Sequence, residues 1–182
     1  MTSKPEAVEP KQFCIAWFKL AELVSRKERE KALSLYRLLA HSFEDRAYVL
    51  QLEGDILWSL EDNLALEKYK QAAILYKKEV KLISAIGVYE HLLLLDSSNY
   101  EFISKLLLLY SLVDYQVKFE EHFVLLLEFL DKNIITQDFI LTLCKKIFKE
   151  NQEDSFLWIE KTLKRLLKDK ITLDMTIIKP EF

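Results

Sequence analysis

Glycine and proline are close to absent from this chain, two of the first and three of the second, with Pro5, Pro10 and Pro180 confined to the ends. The Asn-Gly and Asp-Gly turns that join paired strands are therefore missing, and Gly54 and Gly87 lie inside apolar stretches instead. Valine is also scarce, and threonine gathers toward the C-terminus, so the residues that favour a pleated sheet are few. What abounds is Leu, Lys, Glu, Ala and Gln, the strong helix formers, in a chain long enough for one sizeable core or a short array of repeats. The expected fold class is all-α.

Other absences narrow the function. Cys14 and Cys144 are the only cysteines, far apart and outside any CxxC, which excludes a disulfide scaffold and fits a reducing, cytoplasmic setting. The N-terminal stretch has no apolar signal core, and the leucine-rich runs are broken by Lys105, Asp114 and Glu128, so no membrane span is expected. With 26 basic against 29 acidic side chains, interleaved to a net charge of −3, the chain lacks the positive balance that phosphate backbones attract; nucleic acid is not favoured as a partner. His41, His91 and His122 are widely separated, with no His-x3-His or His-x2-Cys pair, and no metal or other cofactor is expected. There is no Gly-x-Ser-x-Gly elbow and no phosphate-cradling glycine loop, and acidic pairs such as Glu120-Glu121 fall on faces that read as solvated. No catalytic residue is assigned, and the chain is not expected to be an enzyme.

What is present is helical periodicity, interrupted by polar joints at residues 25–28, 44–46, 61–63, 96–99, 131–133 and 151–154. Two joints carry capping boxes, Ser25-x-x-Glu28 and Ser98-x-x-Glu101, which predict helix starts. Joints recur about every 18 residues, one helix plus a tight turn, so neighbouring helices are expected to run antiparallel. The pattern predicts about nine helices, over 11–24, 28–42, 46–60, 63–78, 80–95, 99–113, 116–131, 136–150 and 154–168, the joint near Glu79 being the least marked.

Small and aromatic residues recur within this pattern. Residues 66–99 place Tyr69, Ala72, Ala73 and Tyr76 on one helix and Ala85, Tyr89 and Leu92 on the next; residues 47–72 place Leu50, Gly54 and Leu57 before Ala65, Tyr69 and Ala72. A third set pairs Trp17, Leu20, Ala21 and Val24 with Ala32, Tyr36 and Leu39. Residues 100–133 keep the interval with Leu106, Leu107, Tyr110, Phe119, Phe123 and Leu126 but exchange the alanines for larger side chains. This arrangement resembles the tetratricopeptide repeat family, whose unit of about 34 residues sets a small-residue notch on a first helix against an aromatic on the second. The two middle registers share Tyr69 and Ala72, so either one helix serves in both or one register is coincidental.

The resemblance implies a right-handed α-solenoid of antiparallel hairpins over residues 11–133, with capping helices over 134–170, a disordered N-terminal segment over 1–10 and an extended tail over 171–182. In that family the first helices line a concave groove that holds an extended peptide or a helix. Matching positions put Lys19, Glu22, Gln51, Asp55, Trp58, Lys70, Gln71 and Lys77 on the implied surface, where Lys70, Lys77 and Lys78 suit an acidic segment. The asparagines with which some members grip a terminal carboxylate are missing.

Three features allow two readings each. The runs Leu92–Leu95 and Leu106–Leu109 make their helices apolar nearly all round, which means burial between neighbours or an exposed seam for self-association or a partner. The last helix sets Lys161, Lys164, Arg165 and Lys168 against Phe156, Ile159, Leu163, Leu166 and Leu167, the pattern of a cap with one wet face or of a basic docking surface. Residues 171–178 alternate apolar with polar in strand fashion and are expected to lie extended over apolar groups or to join another protein's sheet. The expected role is a non-catalytic scaffold or adaptor holding a protein or peptide partner in a groove. Its rival is a self-associating module, or a subunit docking through the leucine-rich half as a homo-oligomer or within a larger assembly.

Overall fold

The computed structural model describes residues 10–151, 153–168 and 170. Among the described residues all regular structure is helical: α1 (Pro10–Ser25), α2 (Arg29–Ala40), α3 (Arg46–Ser59), α4 (Leu64–Lys78), α5 (Leu82–Leu95), α6 (Tyr100–Leu112), α7 (Gln116–Asp131), α8 (Gln137–Glu150) and α9 (Glu153–Leu167). Each matches a helix expected from periodicity, with ends displaced by about two residues at most. The expected disorder of residues 1–9 and the extended tail lie outside the described residues. Pro10, expected to precede the first helix, instead opens α1, a position where its missing N–H is no loss.

With glycine so scarce, the joints reverse direction by another route. Lys27, Glu61, Val80, Asp114 and Asn133 all adopt the left-handed backbone conformation, with φ between 52° and 61°. At the first of them the Glu28 N–H donates to the Leu23 carbonyl and the Lys27 N–H to the Val24 carbonyl, both at 2.9 Å, which satisfies the last orphan carbonyls of α1. The same pair of bonds recurs at the other four joints. Lys27 and Glu61 are 34 residues apart, and the same interval separates Val80 from Asp114.

Neither capping box forms as expected, the first because of this turn chemistry and the second because a neighbouring residue caps instead. Ser25 is the last residue of α1, because the helix runs on to its left-handed stop, and Glu28 itself occupies the entry to α2 with its carboxylate on Lys31 Nζ at 2.6 Å. At α6 the cap is Asn99, whose Oδ1 accepts the Glu101 and Phe102 N–H groups at 3.2 and 3.4 Å, while Ser98 donates to Asp96. Asn and Ser cap about equally well, so their order in a polar joint cannot be ranked from pattern. Asp45 and Thr136 cap α3 and α8.

The chain divides into two compact units, Met1–Leu75 and Tyr76–Phe182, with the boundary inside α4. In the first unit α1, α2 and α3 contact one another, and Ala32, Tyr36, Ala47, Leu57, Ala65, Tyr69 and Ala72 are buried. Ala21, expected as a notch on α1, is exposed, whereas Leu20 and Leu23 are buried. The true notch is Gly54, where an added Cβ would lie 2.8 Å from two ring carbons of Tyr69, so any larger residue there would force the ring of α4 to shift. The paired joints of this unit are tied together, Lys27 Nζ to Glu61 Oε1 at 2.7 Å and Arg29 Nη2 to Asp62 Oδ2 at 2.7 Å.

In the second unit α6 is the hub and contacts α5, α7 and α8. Its run Leu106–Leu109 is wholly buried with Phe102, Ile103 and Tyr110, as a helix apolar all round must be. Phe119, Phe123 and Leu126 of α7 complete that core. Polar bonds fix the neighbours: Tyr110 donates to Glu90 at 2.7 Å, Asn151 to Ser111 at 2.8 Å, and Ser155 and Trp158 both donate to Asp114 at 2.8 and 2.9 Å. On α9 the apolar face, Phe156, Ile159, Leu163 and Leu167, is buried and the four basic residues are exposed, two of them paired, Lys164 with Glu160 and Arg165 with Glu120.

Candidate functional site

The residues implied as a groove are largely engaged within the chain. On α1, Lys19 donates to Glu22 at 2.8 Å, and Glu22 also pairs with Arg26 at 2.6 Å; these cations hold its carboxyl below the ordinary range. On α3, Asp55 accepts the Tyr69 hydroxyl at 2.8 Å, Gln51 is half-buried, and Trp58 keeps 45% of its surface in solvent. Burial, then this bond to Asp55, raises the Tyr69 phenol well above its usual value. On α4, Gln71 donates to Glu67 at 3.0 Å and Lys70 is half-buried. Because α1 and α3 touch, the structure brings Lys19 and Glu22 onto helices adjacent to Gln51, Asp55 and Trp58. Lys77 belongs to the second unit, where Glu150 of α8 takes its ammonium at 2.6 Å.

The second unit holds a concavity that sequence reasoning did not place. Because α6 packs against both α5 and α7, their outer flanks face each other across it and leave a cleft of about 780 Å³. Leu93 and Leu94 of α5 stand on one side, Leu125 and Phe129 of α7 on the other, with the buried Ile103 of α6 beneath and Ile134 at one end. Leu94 is 82% exposed, Ile134 53% and Leu125 41%. Around the rim Lys118 and Lys132 pair loosely with Glu121 and Glu128, at 3.5 and 3.8 Å. The volume is that of an ordinary ligand cleft, and its mostly apolar surface is interrupted by Glu90, Ser97, Ser98 and His122 as well as by the charged residues of the rim.

The signal for this cleft was the run Leu92–Leu95. Successive helical residues are about 100° apart, so four leucines cannot share one side. Leu92 is fully buried against the core and Leu94 is left in water, so that run divides between the two readings, whereas Leu106–Leu109 is all core. Leu125, Phe129 and Ile134 carried no comparable signal, since single apolar residues on a helix face are ordinary.

The remaining chemistry is structural. Cys144 is buried, and desolvation pushes its thiol up to about 12, away from nucleophilic use. Glu121 is exposed as expected, but Glu120 is half-buried, accepting from Thr162 at 3.2 Å and pairing with Arg165 at 2.6 Å. Among the described residues no group of three or more His, Cys, Asp or Glu side chains is arranged to hold a metal ion, and no helix is long and apolar enough to cross a membrane. No protein-family model, curated protein or solved structure matches the chain.

Proposed function

We propose that this chain is a non-catalytic adaptor of the cytoplasm that holds an apolar segment of a partner protein, and that the segment docks in the cleft between α5 and α7. The observation that carries this reading is the exposure of Leu94 beside Leu125 and Ile134 over a concave, apolar floor. Apolar surface gathered in a concavity and rimmed by charge marks a place where a partner excludes water. A fully buried leucine contributes about 1.5–3 kcal/mol, so covering these three residues supplies enough for a specific, reversible contact.

We read the helices as a right-handed solenoid of tetratricopeptide-like hairpins. The recurrence of left-handed joints at a 34-residue interval and the closeness of Gly54 to the Tyr69 ring favour that reading, and the Gly54 contact favours the register over residues 47–72. On the first unit the partial exposure of Trp58 favours a second contact surface of the kind the repeat family uses.

Parallel affinity capture tests the two surfaces. Wild-type chain is compared with Leu94→Asp/Leu125→Asp and with Trp58→Ala/Lys70→Glu/Lys77→Glu. The cleft variant is expected to lose its partner while the second keeps it. Equal recovery by all three would end the cleft reading, and loss in the second variant alone would move the site to the implied groove residues of α3 and α4. Sedimentation of the wild-type chain across concentrations tests the rival self-association, which predicts a rising mass that the cleft variant abolishes.

A further inference from the structure

On the side of α6 turned away from the cleft, that helix meets α8 in a second, smaller hollow. Successive helical residues turn by about 100°, so Ser104, Lys105 and Leu108 lie roughly 100–200° around α6 from Ile103, the residue beneath the cleft. Facing them, α8 supplies Thr142, Leu143 and Lys146. The hollow holds about 150 Å³, well below the roughly 300 Å³ at which small-molecule clefts begin. It has room for one functional group of a larger partner.

Its chemistry is one-sided. Leu108 and Leu143, with Phe139, supply the apolar surface; the rest is two lysines and two hydroxyls, and among the described residues no carboxylate lines it. Lys105 is exposed and has no ion-pair partner among the described residues. Lys146 reaches one oxygen of Glu150 only at 3.8 Å, while Lys77 holds the other at 2.6 Å. Thr142 is exposed, and Ser104 donates to the Glu101 carbonyl at 2.8 Å, a bond that a charged acceptor outcompetes.

The surroundings carry the same sign. Thr142, Lys145, Lys146 and Lys149 follow one another at helical spacing along the wet side of α8, whose other side is buried. Lys77 and Lys105 bring the local lysines to five, against the three carboxylates Glu101, Asp138 and Glu150, in a chain whose net charge is −3. A single carboxylate entering the hollow would leave one of its two ammoniums unmatched. A phosphate monoester brings about −1.5 to −2 charges and three strong acceptor oxygens, which suit two ammoniums and two hydroxyls.

We infer that this hollow seats the phosphate of a phosphorylated serine or threonine in a partner protein, held between the ammoniums of Lys105 and Lys146. Thr142 and Ser104 donate to its oxygens, and Lys145 and Lys149 add attraction along α8. The inference goes beyond the cleft and does not depend on it, since the two lie on opposite sides of α6. Such a contact is switched by modification of the partner and weakens with salt.

The test titrates the isotope-labelled full chain with a short peptide, a phosphoserine flanked by alanines, and follows backbone amides by NMR. Saturable shifts at Ser104, Lys105, Thr142 and Lys146 are expected, absent with the unphosphorylated peptide and about tenfold weaker with glutamate in place of phosphoserine. Lys105→Ala/Lys146→Ala should weaken binding by about tenfold or more. Lys161→Ala/Lys168→Ala on the last helix, an equal loss of charge, should leave it within about twofold. All four lysines are exposed, so both variants are expected to fold. No saturable shift, shifts centred elsewhere, equal weakening by the two variants, or equal binding of the glutamate peptide would each overturn the inference. Inorganic phosphate and phosphatidylserine vesicles complete the comparison. Phosphate that binds as tightly as the peptide would refute a protein partner, as would vesicle binding lost in Lys105→Ala/Lys146→Ala when the peptide does not bind.

Discussion

The two glycines allow one substitution to be tried twice with opposite outcomes. Gly54 and Gly87 both sit inside helices, α3 and α5, where Gly→Ala gains about 1 kcal/mol of helix propensity. At Gly87 an added methyl meets nothing within 4 Å, so Gly87→Ala is expected to stabilise by about that amount. At Gly54 the methyl would lie 2.8 Å from Cδ1 and Cε1 of Tyr69, well inside the contact distance of about 3.5–4.0 Å. That ring cannot swing clear, being 2% exposed with its hydroxyl held by Asp55. Overpacking of this kind costs roughly 1–3 kcal/mol, so after the propensity gain Gly54→Ala should lose up to about 2 kcal/mol and in no case gain what Gly87→Ala gains. In a chain of this length each kcal/mol moves the melting point by about 2–4 °C. Urea titration followed by far-UV circular dichroism reads both changes, with the α3 substitution felt in the first unit and the α5 substitution in the second. Relaxing the ring by Tyr69→Leu should rescue Gly54→Ala by at least about 0.5 kcal/mol in a double-mutant cycle. If Gly54→Ala stabilises the protein as Gly87→Ala does, the close crossing of α3 and α4 is refuted.

Three further outcomes are expected. Val80 holds a left-handed conformation at φ 60°, which is worst for a β-branched residue, so Val80→Gly should raise stability by about 1 kcal/mol in chemical denaturation; a loss would contradict the joint geometry. Tyr36, Tyr69, Tyr89 and Tyr110 all titrate above the ordinary phenol value of 10, first because of burial. A folded-state value above the unfolded one keeps its stabilisation below pH 10 and loses it as the pH climbs further, so helix loss should accompany phenolate absorbance in alkaline titration. Phenols that ionise near pH 10 with helicity intact would contradict their burial. In a Cys14→Ser background Cys144 should resist a thiol reagent at pH 8 until the protein is unfolded, and stoichiometric native labelling would show that it is accessible.

Much of the architecture was legible one residue at a time. Helix positions follow from apolar period, and the periodic sets at Ala32/Tyr36, Ala65/Tyr69 and Phe119/Phe123 do lie in the core. Turn chemistry was less legible. Ser25 and Ser98 are good caps in isolation, but where a helix ends depends on whether the following residues can close the left-handed pair of bonds, and Lys27 does so before Ser25 can cap. Ala21 and Gly54 are both small residues on apolar helices; only Gly54 meets an aromatic ring at the crossing.

By itself, the sequence determined the helical class, the number and extent of the helices among the described residues, and most of the buried faces. These rest on propensity and on the 3.6-residue period, which act over a few residues. Tertiary structure decided which apolar residues are left over. Leu92 and Leu94 are chemically identical and two positions apart, yet one is sealed in the core and the other stands in water, because the helix turns them to opposite sides and packing covers only the side that carries Leu92. The cleft exists only as the gap between helices brought together from separate parts of the chain.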